Sequence, residues 1–487
     1  MKSRHYSKLI PILLGLLTMS FSPIWAGNGN MLHGFGPVNS SMGGAGAGLW
    51  VDDPVGALAF NPALISEGEG TFITFGTEFF EDGVEIKATL NDGTTGVTNP
   101  SNQLGVLPAF AFSHKAENSK VAIGFGLIAI AGFRTDYPED PSSILFARQP
   151  FGFGRIYTDH RVTKIPLAIS YDVNDKLSVG MAFNVYKSEL TIAPLPYRVR
   201  DIANGTLFYP EGDGLDLEFA YSIQPSFLYR VNDSLSIGGS LTTEQDYNTF
   251  TWNSRNSNPN SKNFGAHRLL NFDLDGPMIA TLGAGYRLND RTRLALDASW
   301  IEYSGVSGFG SPGGIVDGVV QPFGWDDVWA FKLGAEHDLY DKLTLRAGYN
   351  YSTIPLPAKN TLTATGAPSY FQHHFSVGLG YQVSDSLTAN VGFYYVPRSG
   401  KTGPFLNPNG PPIGKVEESN TLTSVQLGLT WQFDNFLEKS ARRGGKNPIL
   451  SGKSSISSAP SYQAPDLQDE NAALRKRIAE LEAQLEN

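Results

Sequence analysis

Glu336 and Arg346 stand on either side of a turn centred on Asp341. A hairpin with that centre sets a carboxylate opposite a guanidinium across two strands, which is ion-pair chemistry rather than catalysis. Asp297 and Lys332 fall on the same face as this pair by simple alternation. The eight histidines are scattered. His373 and His374 are neighbours, so on a strand they point to opposite faces and do not chelate one metal. The run Gly43-Gly44-Ala45-Gly46-Ala47-Gly48 imitates a phosphate-binding loop, but it follows no strand and carries no Lys-Ser/Thr. No Ser or Asp is visibly paired with a His as a hydrolase would need. The chain has no cysteine, which excludes disulfides, thiolate metal sites and an N-terminal lipid anchor. These residues predict no enzyme, no metal and no cofactor.

The elements that must hold those charges are strands. One phrase recurs: Tyr171 to Ser178 (YDVNDKLS), Tyr229 to Ser236 (YRVNDSLS), Tyr286 to Arg293 (YRLNDRTR), His337 to Thr344 (HDLYDKLT) and Tyr381 to Thr388 (YQVSDSLT), with a looser copy at His114 to Lys120. An aromatic ends a strand, Asn, Asp or Ser turns the chain, and the next strand begins apolar. The flanking segments alternate with period two. Thr423, Val425, Leu427, Leu429, Trp431 and Phe433 share one face, and Ser424, Gln426, Gly428, Thr430 and Gln432 the other. Six short turns alternating with long Gly-, Pro- and Asn-rich connections predict fourteen antiparallel strands closed into a transmembrane β-barrel over 70–433, both ends on the periplasmic side. Closure pairs every backbone group, as lipid demands.

Residues 1–26 read as a secretory signal: Lys2, Arg4 and Lys8, then the apolar run Leu9 to Phe21, with cleavage expected after Ala26. Its removal takes three positive charges and changes the formal charge from −10 to −13, an unpromising balance for nucleic acid. Residues 27–69 do not alternate and are rich in small side chains, which predicts a plug inside a barrel too wide to be filled by its own walls. On strand three, Ala122, Gly124, Gly126, Ile128 and Ile130 form an uncharged inner face, continued by Leu107 on strand two. An apolar ligand path would use such a wall. Gly124, Gly126 and Gly132 weaken that strand and permit a kink. The connections 134–160 and 193–216 carry Phe146, Phe151, Phe153, Leu195, Tyr197 and Phe208, expected as an apolar capture surface.

The signal, the Gly-rich segment, Asp52-Asp53, and Asn61-Pro62-Ala63 just ahead of the first strand resemble the FadL/TodX family of outer-membrane transporters, over residues 27 to about 433. The resemblance implies a luminal hatch, capture of fatty acids or similar hydrophobic molecules by external loops, and sideways release into the bacterial outer membrane through a kinked third strand. It assigns Asn61, Pro62 and Ala63 a place near that kink. The chain departs from the family pattern after Phe433. Residues 434–466 read as a disordered basic and Ser/Pro-rich linker. Residues 467–487 place Leu467, Asn471, Leu474, Ile478, Leu481 and Leu485 at heptad spacing, expected as a periplasmic coiled coil that joins copies of the barrel or binds a periplasmic partner. The competing reading is a structural or adhesive barrel anchored through that tail.

Overall fold

The computed structural model describes residues 27–433 apart from 102–103, 196–199, 317–318 and 408–409. The leader, the linker and heptad tail, and Tyr197 therefore lie outside the described residues. Fourteen strands form one closed antiparallel ring: β1 (Gly70–Asp82), β2 (Gly105–Lys115), β3 (Val121–Tyr137), β4 (Ile156–Asn174), β5 (Leu177–Ala193), β6 (Asp216–Arg230), β7 (Leu235–Thr242), β8 (Met278–Asn289), β9 (Thr292–Glu302), β10 (Val328–Tyr340), β11 (Leu343–Ser352), β12 (His373–Ser384), β13 (Leu387–Asn407) and β14 (Gly410–Phe433). The seam is β1 against β14, in register from Thr71↔Phe433 to Asp82↔Leu422.

The burial pattern is inverted relative to a water-soluble sheet. On β12 the outward Phe375, Val377, Leu379 and Tyr381 are each about half exposed, whereas inward His374 and Ser376 are buried. On β14, Val425, Leu427 and Leu429 face out and Ser424 and Gln426 face in. Lipid is the solvent in which that arrangement is stable. No described helix is long and apolar enough to cross a membrane; the strands are the crossing elements. Tyr171, Tyr229, Tyr286 and Tyr381, the aromatics of the repeated phrase, are exposed at the short-turn end and form an interfacial girdle there.

The turns themselves work through the residue before the shared Asp. Asn174 Oδ1 accepts from the amides of Lys176 (2.9 Å) and Leu177 (3.0 Å), and Asn232 Oδ1 does the same for Ser234 and Leu235. This is the local bond that lets Asn replace a backbone acceptor in a tight turn.

Beyond the ring at the long-loop end, Glu85–Leu90 and Thr95–Thr98 continue the sheet along the upper part of β14. Small hairpins at Asp201–Ala203/Thr206–Phe208 and Phe250–Arg255/His267–Phe272 are tied together by the Asp201–Arg268 ion pair at 2.5 Å. Beneath them Phe309 packs on Trp325 (4.6 Å between ring centres), Tyr303 (5.2 Å) and Phe323 (5.5 Å).

Residues 27–69 form α1 (Gly36–Ser41), α2 (Pro54–Phe60) and a 3-10 turn (Pro62–Glu67), nearly all buried. Each helix has Pro in its first turn, where the missing N–H costs nothing. Asp53 caps α2 by accepting from Val55 N at 3.1 Å, and burial pushes its carboxyl up to about 6. The segment lies directly on wall glycines. A Cβ at Gly180 would meet Ala63 N at 2.5 Å, at Gly285 it would meet Gly48 O at 2.5 Å, and at Gly334 Met42 O at 2.7 Å. At Gly348 it would overlap the backbone of Met42 and Gly43, and at Gly238 the carbonyl of Ala47. Main chain thus rests on main chain around much of the bore. Gly348→Val should unseat α1 at a cost of about 1–3 kcal/mol, the usual range for overpacking. Planar-bilayer recordings should then show a higher basal conductance than wild type; an unchanged closed baseline would refute the seating argument.

Candidate functional site

β2 and β3 separate part-way up. They pair from Lys115↔Ala122 to Ala109↔Ile128 and no further. Above that point β2 keeps only β1 as a partner and β3 only β4. Pro108, the next residue of β2, has no N–H to donate. On its other side β3 is irregular too. Its pairing with β4 omits Gly126 and Leu127, opposite Pro166, and shifts between Ala129 and Ala131. A bulge of this kind bends a strand and resets its alternation. Leu127 precedes that shift and keeps the outer parity expected of it, yet it is buried.

The unpaired edge of β3 is occupied by the start of the N-terminal segment. Leu32 N donates to Ile130 O at 2.9 Å, Gly132 N donates to Asn30 O at 2.8 Å, and Met31 sits opposite Ala131. Residues 30–32 act as a short surrogate strand. The separation begins where the outward face of neighbouring strands changes from Leu167, Val179 and Phe183 to the ion pairs Arg161–Asp159 (2.5 Å) and Lys187–Glu189 (2.9 Å), which marks the upper margin of the apolar band.

Behind the surrogate strand lies a small luminal cavity of about 30 Å³. That is room for one or two waters. Met31, Leu32, Phe35, Phe60, Ile130 and Ile301 supply its apolar lining; Ser240, Thr281, Ser299, Lys164 and Lys332 supply polar groups. An organic ligand needs more room than this, so some of the lining must move to admit one.

The two lysines differ. Lys164 Nζ donates to Gln224 Oε1 (2.6 Å) and to the carbonyls of Ala59 (3.1 Å) and Leu58 (3.3 Å), capping the C-terminus of α2. Gln224 Nε2 adds a bond to Phe60 O at 3.0 Å. Lys332 Nζ sits 3.9 Å over the Phe60 ring. No hydrogen bond or ion pair within 4.0 Å is seen for it among the described residues, but Asp297 stands directly across from it and attracts it electrostatically. One Asp297 carboxylate oxygen accepts from the amides of Gly46 (2.8 Å) and Ala47 (2.9 Å), while Oδ1 has no hydrogen-bond partner. Nearby, His33 is stacked on His374 (4.9 Å) and edge-on to Tyr394 (4.3 Å), and burial holds the His33 imidazole down at about 3, neutral.

The residues singled out in the sequence are distributed as follows. Asn61 joins three parts of the structure: its Nδ2 donates to Ala47 O (2.6 Å) and Phe227 O (2.9 Å), and its Oδ1 accepts from Ala63 N (3.1 Å), while Pro62 opens the 3-10 turn. Ile130 lines the cavity. Leu107 and Ile128 are buried but do not line it. Gly124 faces Leu58 and Ile65, Gly126 approaches Phe110 O, and Gly132 bonds the surrogate strand. Of the loop residues, Phe151 is 86% exposed, but Phe146 is buried against Tyr137 and Leu195 is buried too. Those two contribute to loop packing rather than to an open surface. Glu336 accepts from Arg346 Nε at 2.7 Å and also from Arg293, which was not singled out in the sequence. Phe60, Lys164 and Met31 were likewise not singled out.

Comparison with known proteins follows the geometry. The model of a family described as outer membrane protein transport protein (OMPP1/FadL/TodX) matches residues 24–405. Outer membrane protein P1 of Haemophilus influenzae is 21% identical over 399 residues, 73% of this chain and 83% of that protein. A FadL homologue of Pseudomonas aeruginosa superimposes with a TM-score of 0.63 at 15% identity, covering 84% of this chain and 100% of that one. The toluene transporter TodX of P. putida gives 0.62 at 17% identity, covering 83% and 99%. At these identities the solved structures bear on the fold.

Proposed function

We propose, on the premise that this chain belongs to the outer membrane protein transport family (OMPP1/FadL/TodX), that its cargo is an amphiphile with an apolar body and an anionic head, such as a long-chain fatty acid. The chain is a transport channel of the bacterial outer membrane rather than an enzyme. In the proposed route the external loops, Phe151 foremost, collect the molecule. It displaces Met31, Leu32 and Phe35 from the luminal cavity and leaves sideways between β2 and β3 into the membrane. Gly124, Gly126 and the bulge beyond Ile128 give β3 the bend that the exit uses, and Asn61-Pro62-Ala63 holds the adjoining hatch to the wall. The observation that carries this reading is the surrogate strand: Asn30 to Leu32 fill the place β2 vacates, so one short movement would open both the cavity and the wall.

The anionic head is argued from Lys332. A buried ammonium that makes no hydrogen bond, and has only the Asp297 carboxylate across the strand pair to balance it, is costly. A carboxylate supplied by the ligand would satisfy it, whereas a bare hydrocarbon would not. Lys332→Met should weaken binding of a fluorescent fatty acid to the detergent-solubilised barrel by roughly ten- to hundredfold, the equivalent of about 1.5–3 kcal/mol for a charged hydrogen bond. Binding of toluene should change little. Equal losses for both ligands would remove the head-group argument, and no binding of either to wild type would remove the transport reading.

A further inference from the structure

Gly27, the residue that follows the expected leader cleavage point, is buried in the lumen. Its amide donates to Met31 O at 2.9 Å and its carbonyl accepts from Ser352 Oγ at 3.2 Å. A methyl group on its α-carbon would overlap His374 Nε2. That nitrogen is itself buried and has no hydrogen-bond partner. The other side of the ring is occupied: Asn350 Nδ2 lies 3.0 Å from His374 Nδ1 and also donates to Asn28 Oδ1 at 2.8 Å. The remaining neighbours are the stacked His33 ring and Tyr394, whose hydroxyl donates to Glu78 at 2.6 Å.

We propose that cleavage after Ala26 builds a site: the new α-amino group of Gly27 stays inside the barrel and bonds to His374 Nε2, anchoring the strip that closes the β3 gap. The step is hydrolysis of one peptide bond. Water supplies the hydroxyl of the departing leader and a proton to the new amine. In the uncleaved chain Gly27 N carries one hydrogen, already given to Met31 O. As an amide that nitrogen has no lone pair to accept with; after cleavage the neutral amine has one. Asn350 Nδ2 donates to His374 Nδ1, so the neutral ring carries its proton on Nε2, and the amine lone pair accepts it, which supplies the partner His374 lacks. A neutral amine is the form such a buried place favours.

The anchor is the root of a continuous tether. Tyr303 OH donates to Asn28 O (2.9 Å) and accepts from Asn30 N (3.0 Å), Ser369 Oγ donates to Gly29 O (2.8 Å), and the next residues pair with β3. Leader removal then does more than release the chain from export. It completes the closed state of the wall, independently of which cargo the barrel takes.

Full-length protein purified from outer membranes should begin at Gly27 by intact mass. Acetylation with a small amine-reactive ester, followed by peptide mass spectrometry, should modify the Gly27 amine at least about tenfold more slowly than Lys415, whose side chain is 52% exposed, because reaction requires local opening. His374→Phe, which keeps a ring but not the Nε2–H group, should bring the two rates within about threefold, and His374→Gln, which keeps an N–H donor, should preserve most of the protection. A different first residue overturns the proposal. So does an amine as reactive as Lys415, or protection that His374→Phe leaves intact. If the Phe variant does not fold, the wild-type mass and rates together with His374→Gln decide.

Discussion

A disulfide between residues 31 and 131 should stop transport. The two residues are directly opposed across the surrogate strand, flanked by the Leu32–Ile130 and Gly132–Asn30 bonds. That makes them a non-hydrogen-bonded antiparallel pair, in which α-carbons stand about 4.5 Å apart. Disulfides need about 4.4–6.8 Å, so Met31→Cys with Ala131→Cys is expected to cross-link without distortion. The chain has no other cysteine to compete. Covalent closure removes the open state from the population, and flux through that state falls with it. Uptake of a labelled fatty acid into cells or proteoliposomes should drop by at least about tenfold under oxidising conditions and return on reduction. Each single variant should transport normally. A verified cross-link with undiminished uptake would show that cargo leaves by another route.

The second large effect is on stability. Glu336 lies between Arg346 on β11 and Arg293 on β9, and Arg293 in turn reaches Trp50 O at 3.3 Å and the Asp52 carboxylate at 3.8 Å. One buried carboxylate therefore balances two guanidinium groups and fixes the N-terminal segment to three adjacent strands. Glu336→Gln removes the nearest counter-charge of both cations, leaving Arg293 only the more distant Asp52 carboxylate at 3.8 Å. Breaking a buried pair from one side costs about 3–5 kcal/mol, far more than the pair contributes over an apolar replacement. Denaturant unfolding in detergent micelles, followed by tryptophan fluorescence and gel mobility, should register a loss in that range. A loss below about 1 kcal/mol would mean that water or a rearranged Asp52 already compensates the arginines.

The strand count and the ring were legible because a membrane barrel enforces its rule on every residue. Lipid outside and packed interior inside make side-chain parity a two-valued signal, and the repeated aromatic-Asn-Asp phrase marked where parity restarts. What was missed lay outside that rule. Arg293 has the parity of Asp297 on the same strand, but it closes the phrase Tyr286 to Arg293 and so reads as turn rather than wall. Leu127 keeps its outward parity, and its burial comes from packing that parity does not encode. Phe60, Phe35 and Met31 belong to a segment with no period, and what they touch is set by contacts far away in sequence. Phe146 and Phe151 are equally apolar on paper; only the packing of loop on loop makes one buried and the other exposed.

The glycine contacts between wall and hatch constrain the order of assembly. Pro37 rests on Gly76 and Gly428, residues that face each other across the β1–β14 seam, and its Cγ would meet a Cβ on Gly428 at 2.6 Å. With main chain against main chain there is no clearance through which a preformed stopper could be pushed into a finished cylinder. The contacts therefore predict that the first part of the chain to be made is laid along the open sheet before the last strand arrives and zips shut over it. Biogenesis is then expected to be a wrapping reaction, with a proline inside the lumen as the mandrel on which the final joint is closed.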